Sequence, residues 1–425
     1  MNKSLLQRLL DFYHISYDDY LSLQKSYDLS SFYGEHKFND IDKAVNLVKS
    51  SIANNEKIIV YGDYDADGIM GTSILVKMFF YLNYVVSYYL PNRNQDGYGI
   101  TLKHAKEYVE TGYKLVITVD NGISAFEPIE YLKAHGVKVL IIDHHQVQDK
   151  VPEVDAICHP IYSHFGETTS SGAFTAFMFS TSLLGRSDKY LATLASISLI
   201  SDMMPLLDYN RNLLKTVIRD YKIGEFPAID LLNDNETFDE NAIGMKIAPR
   251  INSIGRLAED DSINKIVNYF ISDDKNFILN YFYTILEKNE ERKTLSKEAC
   301  SNINIEKGKK SVILLGEYKE GLIGLMANSL VNSLHVPTIV FTSSGENFYK
   351  GSARSPEGFN IVEAFSKLSN YLSEFGGHAS AAGCSIEKNK FDEWIDNIKN
   401  DLSNDALNII NNNQSKISAI VMNAN

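Results

Sequence analysis

The chain has 425 residues, 44% hydrophobic and 22% charged, which suits two or three cored domains and excludes a low-complexity chain. The N-terminus MNKSLLQRLLDFYH lacks the apolar stretch of a secretory signal, no apolar run is long enough to span a bilayer, and three scattered cysteines (Cys158, Cys300, Cys384) contain no CxxC pair. Together these exclude a membrane span, a disulfide framework and a thiolate zinc site, and they fit a reducing cytoplasm with Cys384 packed in a core. The formal net charge of −13 runs against a chain-wide nucleic-acid face, unless cations offset the acids locally or a basic channel lies apart from them.

Residues 1–50 read as polar and helical, with Ile41, Val45 and Val48 at amphipathic spacing. From residue 57 to about 157 strand and helix patterns alternate, with strands over 58–60, 85–90, 115–119, 139–142 and 156–158 and helices over 69–82, 102–110 and 125–134. This alternation predicts an α/β fold, a doubly wound parallel sheet flanked by helices. The pattern turns helical through residues 171–221 (SGAFTAFMF, then KYLATLASISLISDM). Residues 275–307 lack Gly and Pro and read as one long, charged connecting helix. A smaller α/β unit follows, with strands over 311–316 and 337–342 around a helix over 321–334. Residues 401–425 read as an Asn- and Ser-rich tail, in which 417–422 would begin a further strand. The expected organisation is a helical segment (1–50) packed on a catalytic domain (51–225), a linker region carrying the long helix (226–309), a second domain (310–403) and a tail (404–425), with no internal repeats.

Three apolar runs end in acids or imidazoles. KIIVYG (57–62) leads into Asp63, Asp65 and Asp67; KLVITV (114–119) leads into Asp120; KVLII (138–142) leads into Asp143, His144 and His145. Open parallel sheets bind ligands outside the carboxyl ends of their strands. So many acids in one crevice require a cation. Asp63, Asp65 and Asp67 alternate on an extended segment and form a hard-oxygen set for Mg²⁺ or Mn²⁺, which added imidazole tilts towards Mn²⁺. An EF-hand is excluded, because Ile74 stands at loop position 12 counted from Asp63. Taken alone, Asp120 before Asn121-Gly122 reads equally as a helix cap or an Asx turn. Of the paired histidines, one can bind metal in a tautomer held by Asp143 while the other faces a substrate. Asp202, in LISDMMP, is either a buried acid that needs a partner or a helix C-terminal cap.

These segments (YGDYDADG at 61–68, VDNG at 119–122, DHH at 143–145, SD at 201–202) resemble, in order and spacing, the DHH phosphoesterase superfamily. FGGHASAAG (375–383) resembles the glycine-rich loop of its companion DHHA1 domain. Pro91-Asn92-Arg93, Gly97-Tyr98-Gly99, Ser171-Gly172-Ala173, Pro249–Asn252, Gly255-Arg256-Leu257, Gly321–Gly324 and Gly351–Ser355 make the chain similar to the RecJ family of single-strand-specific 5′→3′ exonucleases over roughly residues 1–400. The resemblance implies a DHH domain with a parallel sheet, a long connecting helix and a smaller α/β DHHA1 domain. It implies two divalent cations, Mn²⁺ or Mg²⁺, held by Asp63, Asp65, Asp67, Asp120, His144 and Asp202, with Asp120 bridging. His145, Asp120 and Asp143 would be catalytic. Arg93, Tyr98, Arg250, Asn252, Arg256, Ser352, Arg354, Gly376, Gly377 and His378 would hold the substrate, a single-stranded nucleic acid with DNA ahead of RNA, in a gap between domains too narrow for a duplex. The product would be a 5′ mononucleotide, in recombination or repair.

Two departures stand out. Tyr318-Lys319 occupies the place of the family's Trp-His pair, and the sequence given stops before the strand-gripping OB-fold that usually follows, so a protein partner would supply that grip. The alternatives are a phosphodiesterase of the same superfamily acting on short oligonucleotides or cyclic dinucleotides, a non-catalytic replication scaffold, and a fold that binds structural cations only. The scaffold is disfavoured because the metal set is complete, and the structural-cation fold because of the histidine pair.

Overall fold

The computed structural model describes residues 4–25, 27–32, 38–93, 95–97, 99–147, 150–162, 169–257, 261–301, 310–399 and 402. They fall into two compact units, Ser26–Arg292 and a second made of Met1–Lys25 with Lys293–Asn425. In the latter, α1 (Leu5–Phe12) and α2 (Tyr17–Gln24) each open behind a serine whose hydroxyl accepts a backbone N–H of the first turn.

The Ser26–Arg292 unit begins with α3 (Ile41–Ala53), β1 (Ile58–Tyr61), α4 (Ala66–Tyr81), β2 (Ser87–Tyr89), α5 (Leu102–Glu110), β3 (Leu115–Val119), α6 (Phe126–Ala134), β4 (Lys138–Ile142) and β5 (Ala156–Cys158). The five strands are all parallel, in the order β2-β1-β3-β4-β5. The near-continuous Val/Ile runs of β1, β3 and β4 follow from this, since both sheet faces are covered. Val60, Ile117, Val119, Leu140 and Ile142 join the core that includes α4, while Ile59, Tyr61, Val116, Val139 and Ile141 pack with Tyr108, Ile129 and Leu132 on the other face. The chain order reverses between β1 and β3, which opens a crevice at their carboxyl ends.

The rest of the unit is helical: α7 (Gly172–Leu184), α8 (Lys189–Ser201), α9 (Asp208–Asp220), α10 (Pro227–Leu232), α11 (Glu240–Ala242), a π turn (Ile243–Ile247), α12 (Ala248–Leu257), α13 (Lys265–Ile271) and the part of α14 (Lys275–Ser301) up to Arg292. The strand expected over 85–90 is shorter, and Val85 is 96% exposed. The helix expected from residue 69 starts three residues earlier, because Asp65 caps it through the N–H groups of Asp67 and Gly68. The long helix is described to Ser301, and the remainder expected over 302–307 lies outside the described residues.

The second unit continues with β6 (Val312–Leu315), α15 (Glu320–Leu334), β7 (Thr338–Ser344), β8 (Phe348–Arg354), α16 (Ile361–Lys367), β9 (Leu372–His378) and β10 (Ala381–Glu387). The sheet is mixed: β6 and β7 are parallel, and β7, β8, β10 and β9 follow antiparallel in that order. Phe341, Phe365, Phe391 and Trp394 pack in one cluster, and Ile323, Met326 and Val340 in another. The glycine-rich segment expected as a loop is instead two paired strands, with Gly376 opposite Gly383. Ala382, Cys384 and Ile386 point inward in alternation, so the period is that of a strand. Cys158 and Cys384 are buried and free. No helix among the described residues is long and apolar enough to cross a membrane.

Candidate metal centre

Asp63 follows β1, Asp120 follows β3 and Asp143 follows β4, and each lies just past the last ladder bonds. Gly62 N donates to Tyr89 O (2.9 Å), Asp120 N to Ile142 O (3.0 Å) and Asp143 N to Cys158 O (3.1 Å). The strand ends thus set the backbone of the site. Asp120 bends away from the sheet with φ +63°, an uncommon conformation for a side-chain-bearing residue.

The acids and imidazoles separated along the sequence come together here. Ligand atoms of Asp63, Asp65 and Asp120 lie within 4.8 Å of one another, as do those of Asp67, His144 and Asp202, and those of Asp120, His144 and His145. Asp120 belongs to two of these groups and links them. His144 Nε2 stands 3.1 Å from Asp120 Oδ1, 3.4 Å from Asp67 Oδ2 and 3.6 Å from Asp202 Oδ2. Asp202 occupies the C-cap position of α8, so the cap reading and the partnered-acid reading describe the same residue.

This donor set fits a hard divalent cation. Burial, and then Asp65, push the Asp63 carboxyl well above its ordinary range. Burial followed by Asp67, Asp65 and Asp63 does the same to Asp120. Burial and the neighbouring acids raise Asp202 to about 8. Asp63 Oδ1 is buried without a hydrogen-bond partner. A cation removes each of these penalties.

Asp143 is different. Burial pushes it up, yet the His145 hydrogen bond and both imidazoles bring it below the usual carboxylate range. Its Oδ1 accepts from His145 Nδ1 (2.8 Å) and from the N–H groups of His144 (2.7 Å) and His145 (3.2 Å), and its Oδ2 accepts from Ile123 N (2.9 Å). The acid expected to orient the metal-facing histidine therefore orients His145, leaving that ring's Nε2 directed elsewhere. Burial lowers His145, but Asp143 more than offsets this and takes it to about 9.

Of the expected substrate residues, Arg93 and Asn252 both meet the Tyr64–Ala66 segment beside the acids. The Arg93 guanidinium lies over the Tyr64 ring, 4.2 Å from its centroid. Arg250 forks onto Asp234 (2.9 and 3.1 Å) and donates to Leu232 O (2.7 Å), so these donors serve a local turn. Asn252 Oδ1 accepts from Ala66 N (2.9 Å), which ties α12 to the start of α4. Arg256 is half-buried on the same helix. Gly255 lies where a Cβ would stand 1.8 Å from Tyr64 O, so α12 presses on the acidic segment at a point only glycine permits. In the second unit, Arg354 Nη1 donates to Ser352 Oγ (3.2 Å) and Ala353 O (2.8 Å) on β8. Gly376 and Gly377 lie in β9; Tyr98 and the His378 side chain lie outside the described residues.

Sequence reasoning overlooked several groups. Asn121 Nδ2 donates to Gly62 O (3.0 Å) and Val119 O (2.9 Å), joining the ends of β1 and β3. His159 Nε2 donates to His145 O (2.8 Å). Ser198, buried in α8, donates to Asp67 Oδ1 (2.6 Å). Asp96 Oδ2 accepts from Asn92 N (2.9 Å) and Tyr89 Oη (2.8 Å), holding the turn that carries Arg93. A small polar residue within an apolar helix was the one available signal for Ser198.

Residues 57–200 match the model of the DHH family, N-terminal domain, and residues 308–404 match that of the DHHA1 domain. The chain is 33% identical over 372 residues to the single-stranded-DNA-specific exonuclease RecJ of Bacillus subtilis, covering 84% of this chain and 47% of that one. It is 29% identical to RecJ of Haemophilus influenzae, covering 92% and 73%. The chain thus spans about half the length of the first of these relatives. Among solved structures, RecJ in complex with Mn²⁺ from Thermus thermophilus superposes with a TM-score of 0.78 at 26% identity, covering 88% of this chain and 56% of that one. An exonuclease RecJ bound to manganese gives 0.75 at 27%, covering 88% and 97%.

Proposed function

We propose that this chain, which belongs to the DHH/DHHA1 phosphoesterase superfamily and resembles its RecJ members, is a metal-dependent phosphodiesterase releasing 5′ mononucleotides from single-stranded nucleic acid, DNA ahead of RNA. The observation that carries the reading is the convergence of five carboxylates and His144 into overlapping ligand groups at one sheet edge. Two divalent cations, Mn²⁺ or Mg²⁺, are the proposed cofactors. Asp63, Asp65 and Asp120 would hold one; Asp67, His144 and Asp202, with Asp120 shared, would hold the other. When bound, such ions supply Lewis acidity and a nucleophilic hydroxide at neutral pH.

The side chains do the rest. Asp143 fixes Nδ1 of His145 as a donor and so presents Nε2 to a phosphoryl oxygen. Arg93, backed by Tyr64, is a planar donor for the phosphate next to the scissile one. Arg354, Ser352 and the paired strands around Gly376 and Gly377 are the proposed phosphate contacts of the 310–403 domain, with residues 51–225 as the catalytic domain. The buried free thiols Cys158 and Cys384 support a cytoplasmic setting.

The test is digestion of single-stranded DNA and RNA labelled at the 5′ or 3′ end, with Mn²⁺, beside a dinucleotide and a duplex. Mononucleotide release from the 5′ end of long single strands is the expected result. Cleavage confined to the dinucleotide points to the short-substrate alternative, and no cleavage of any substrate removes the enzymatic reading.

A further inference from the structure

Asp67, in the first turn of α4, is held from behind. Asp67 Oδ1 accepts the Ala173 N–H (2.7 Å) and the Ser198 hydroxyl (2.6 Å), and Oδ2 accepts the Gly172 N–H (2.7 Å). A carboxylate oxygen has about two lone-pair directions. Oδ1 is engaged in both by the α7 turn and Ser198, on the side away from His144. Oδ2 keeps one, on the side where His144 Nε2 stands 3.4 Å away.

The Ser198 hydroxyl is itself set by a neighbour. An ionised carboxylate only accepts, so the Ser198 proton points at Asp67. Ser171 Oγ, 2.5 Å from Ser198 Oγ, then donates to it and accepts the Phe174 N–H at 3.1 Å. The result is a one-directional chain from the first turn of α7 through two hydroxyls to one carboxylate oxygen. Ser198, Ser171 and Asp67 are all buried, so water cannot take over a lost bond.

We infer that Ser198, backed by Ser171, restricts Asp67 to a single coordinating oxygen, Oδ2, and thereby sets the affinity of the cation site that Asp67 shares with His144 and Asp202. The inference rests on the two-metal reading above. Ser198 is a positioning residue, since it acts through Asp67. Without Ser198, Oδ1 keeps only the Ala173 N–H and Oδ2 the Gly172 N–H, so one ligand of a three-ligand site is held by two bonds in place of three and loses part of its fixed aim. Asp63 and Asp65 have no contact with the serine pair among the bonds described, so the other cation site keeps its affinity.

Mn²⁺ titration of the full chain, read by electron paramagnetic resonance and calorimetry, tests this. Ser198→Ala should weaken one of two Mn²⁺ sites about 10-fold, the scale of lost ligand-orienting partners, and leave the other within about 2-fold. Turnover at saturating Mn²⁺ should return to near the wild-type value, because the ligand is loosened and not removed. Ser171→Ala, which keeps the Ser198 hydroxyl on Asp67, should give a smaller loss at the same site. Unchanged Mn²⁺ binding in Ser198→Ala, or equal weakening of both sites, overturns the inference. Asp120→Ala is the control: if it too binds Mn²⁺ like the wild type, the two-metal reading has failed, and not merely the role of Ser198. Melting in EDTA checks that each variant is folded.

Discussion

Asp202→Asn should stabilise the metal-free protein at pH 8. Burial and the Asp67 and Asp65 charges raise the Asp202 carboxyl from 3.8 to about 8. A carboxyl raised on folding contributes stability that is full below its unfolded value and is lost as pH climbs towards the folded value. At about 1.4 kcal/mol per unit, the nominal loss by pH 8 is roughly 5 kcal/mol. The side chain is 32% exposed, however, and solvent screens its neighbours. Roughly half should survive, about 2–3 kcal/mol at pH 8 and under about 1 kcal/mol at pH 5. Asparagine keeps the shape and never ionises, so it recovers that amount, equivalent to a rise of several degrees in melting temperature. Urea and thermal melts in EDTA at both pH values measure it. With Mn²⁺ present the sign should reverse, because the variant lacks a charged ligand. A variant no more stable than the wild type at pH 8 in EDTA refutes the account of the crevice as a cluster of charges held together at a cost.

Gly255→Ala sets a Cβ against the Tyr64 carbonyl and should cost about 1–3 kcal/mol by urea melts, together with weaker Mn²⁺ binding. Asp96→Ala frees the Asn92 amide and the Tyr89 hydroxyl, so the turn bearing Arg93 loosens; the expectation is KM up about 3–10-fold with kcat near normal, and an unchanged KM would separate that turn from substrate. Arg354→Lys loses the fork that Ser352 and Ala353 O hold in place, and should raise KM about 10-fold without altering Mn²⁺ affinity. His145→Gln should lower kcat about 100-fold or more while strand binding persists; full activity would remove Asp143 and His145 from the chemistry.

How much of this was legible depended on whether a residue's role followed from its own segment. Asp63, Asp120 and Asp143 could be placed together because each ends an apolar strand, and parallel strands bring such ends to one edge. The doubly wound sheet was readable for the same reason. The partner of Asp143 was not, because adjacent residues point to opposite sides and the backbone turn at 143–145 decides which ring returns to the acid. That Arg250 forks onto Asp234, 16 residues earlier, was not legible either, because the pair is made by the fold and not by the segment. The strands around Gly376 were hidden by glycines that mimic a loop; the alternation of Ala382, Cys384 and Ile386 held the evidence. Ser198 went unremarked because its partners, Asp67 and Ser171, are brought to it only by the fold.

The opening turn of α7 has a consequence for how defects in this protein will be interpreted. Gly172 and Ala173 grip Asp67, and a Cβ on Gly172 would stand 2.8 Å from that of Asp120, so this turn touches two acids at once. Phe174 in the same turn and Phe177 one turn later are fully buried in the core that includes α4. A cavity left by either ring is expected to shift this turn, and with it the amides that hold Asp67. Lesions in this apolar core, within a turn of the amides that hold Asp67, are therefore expected to register as chemical defects, and added manganese is expected to relieve them in part.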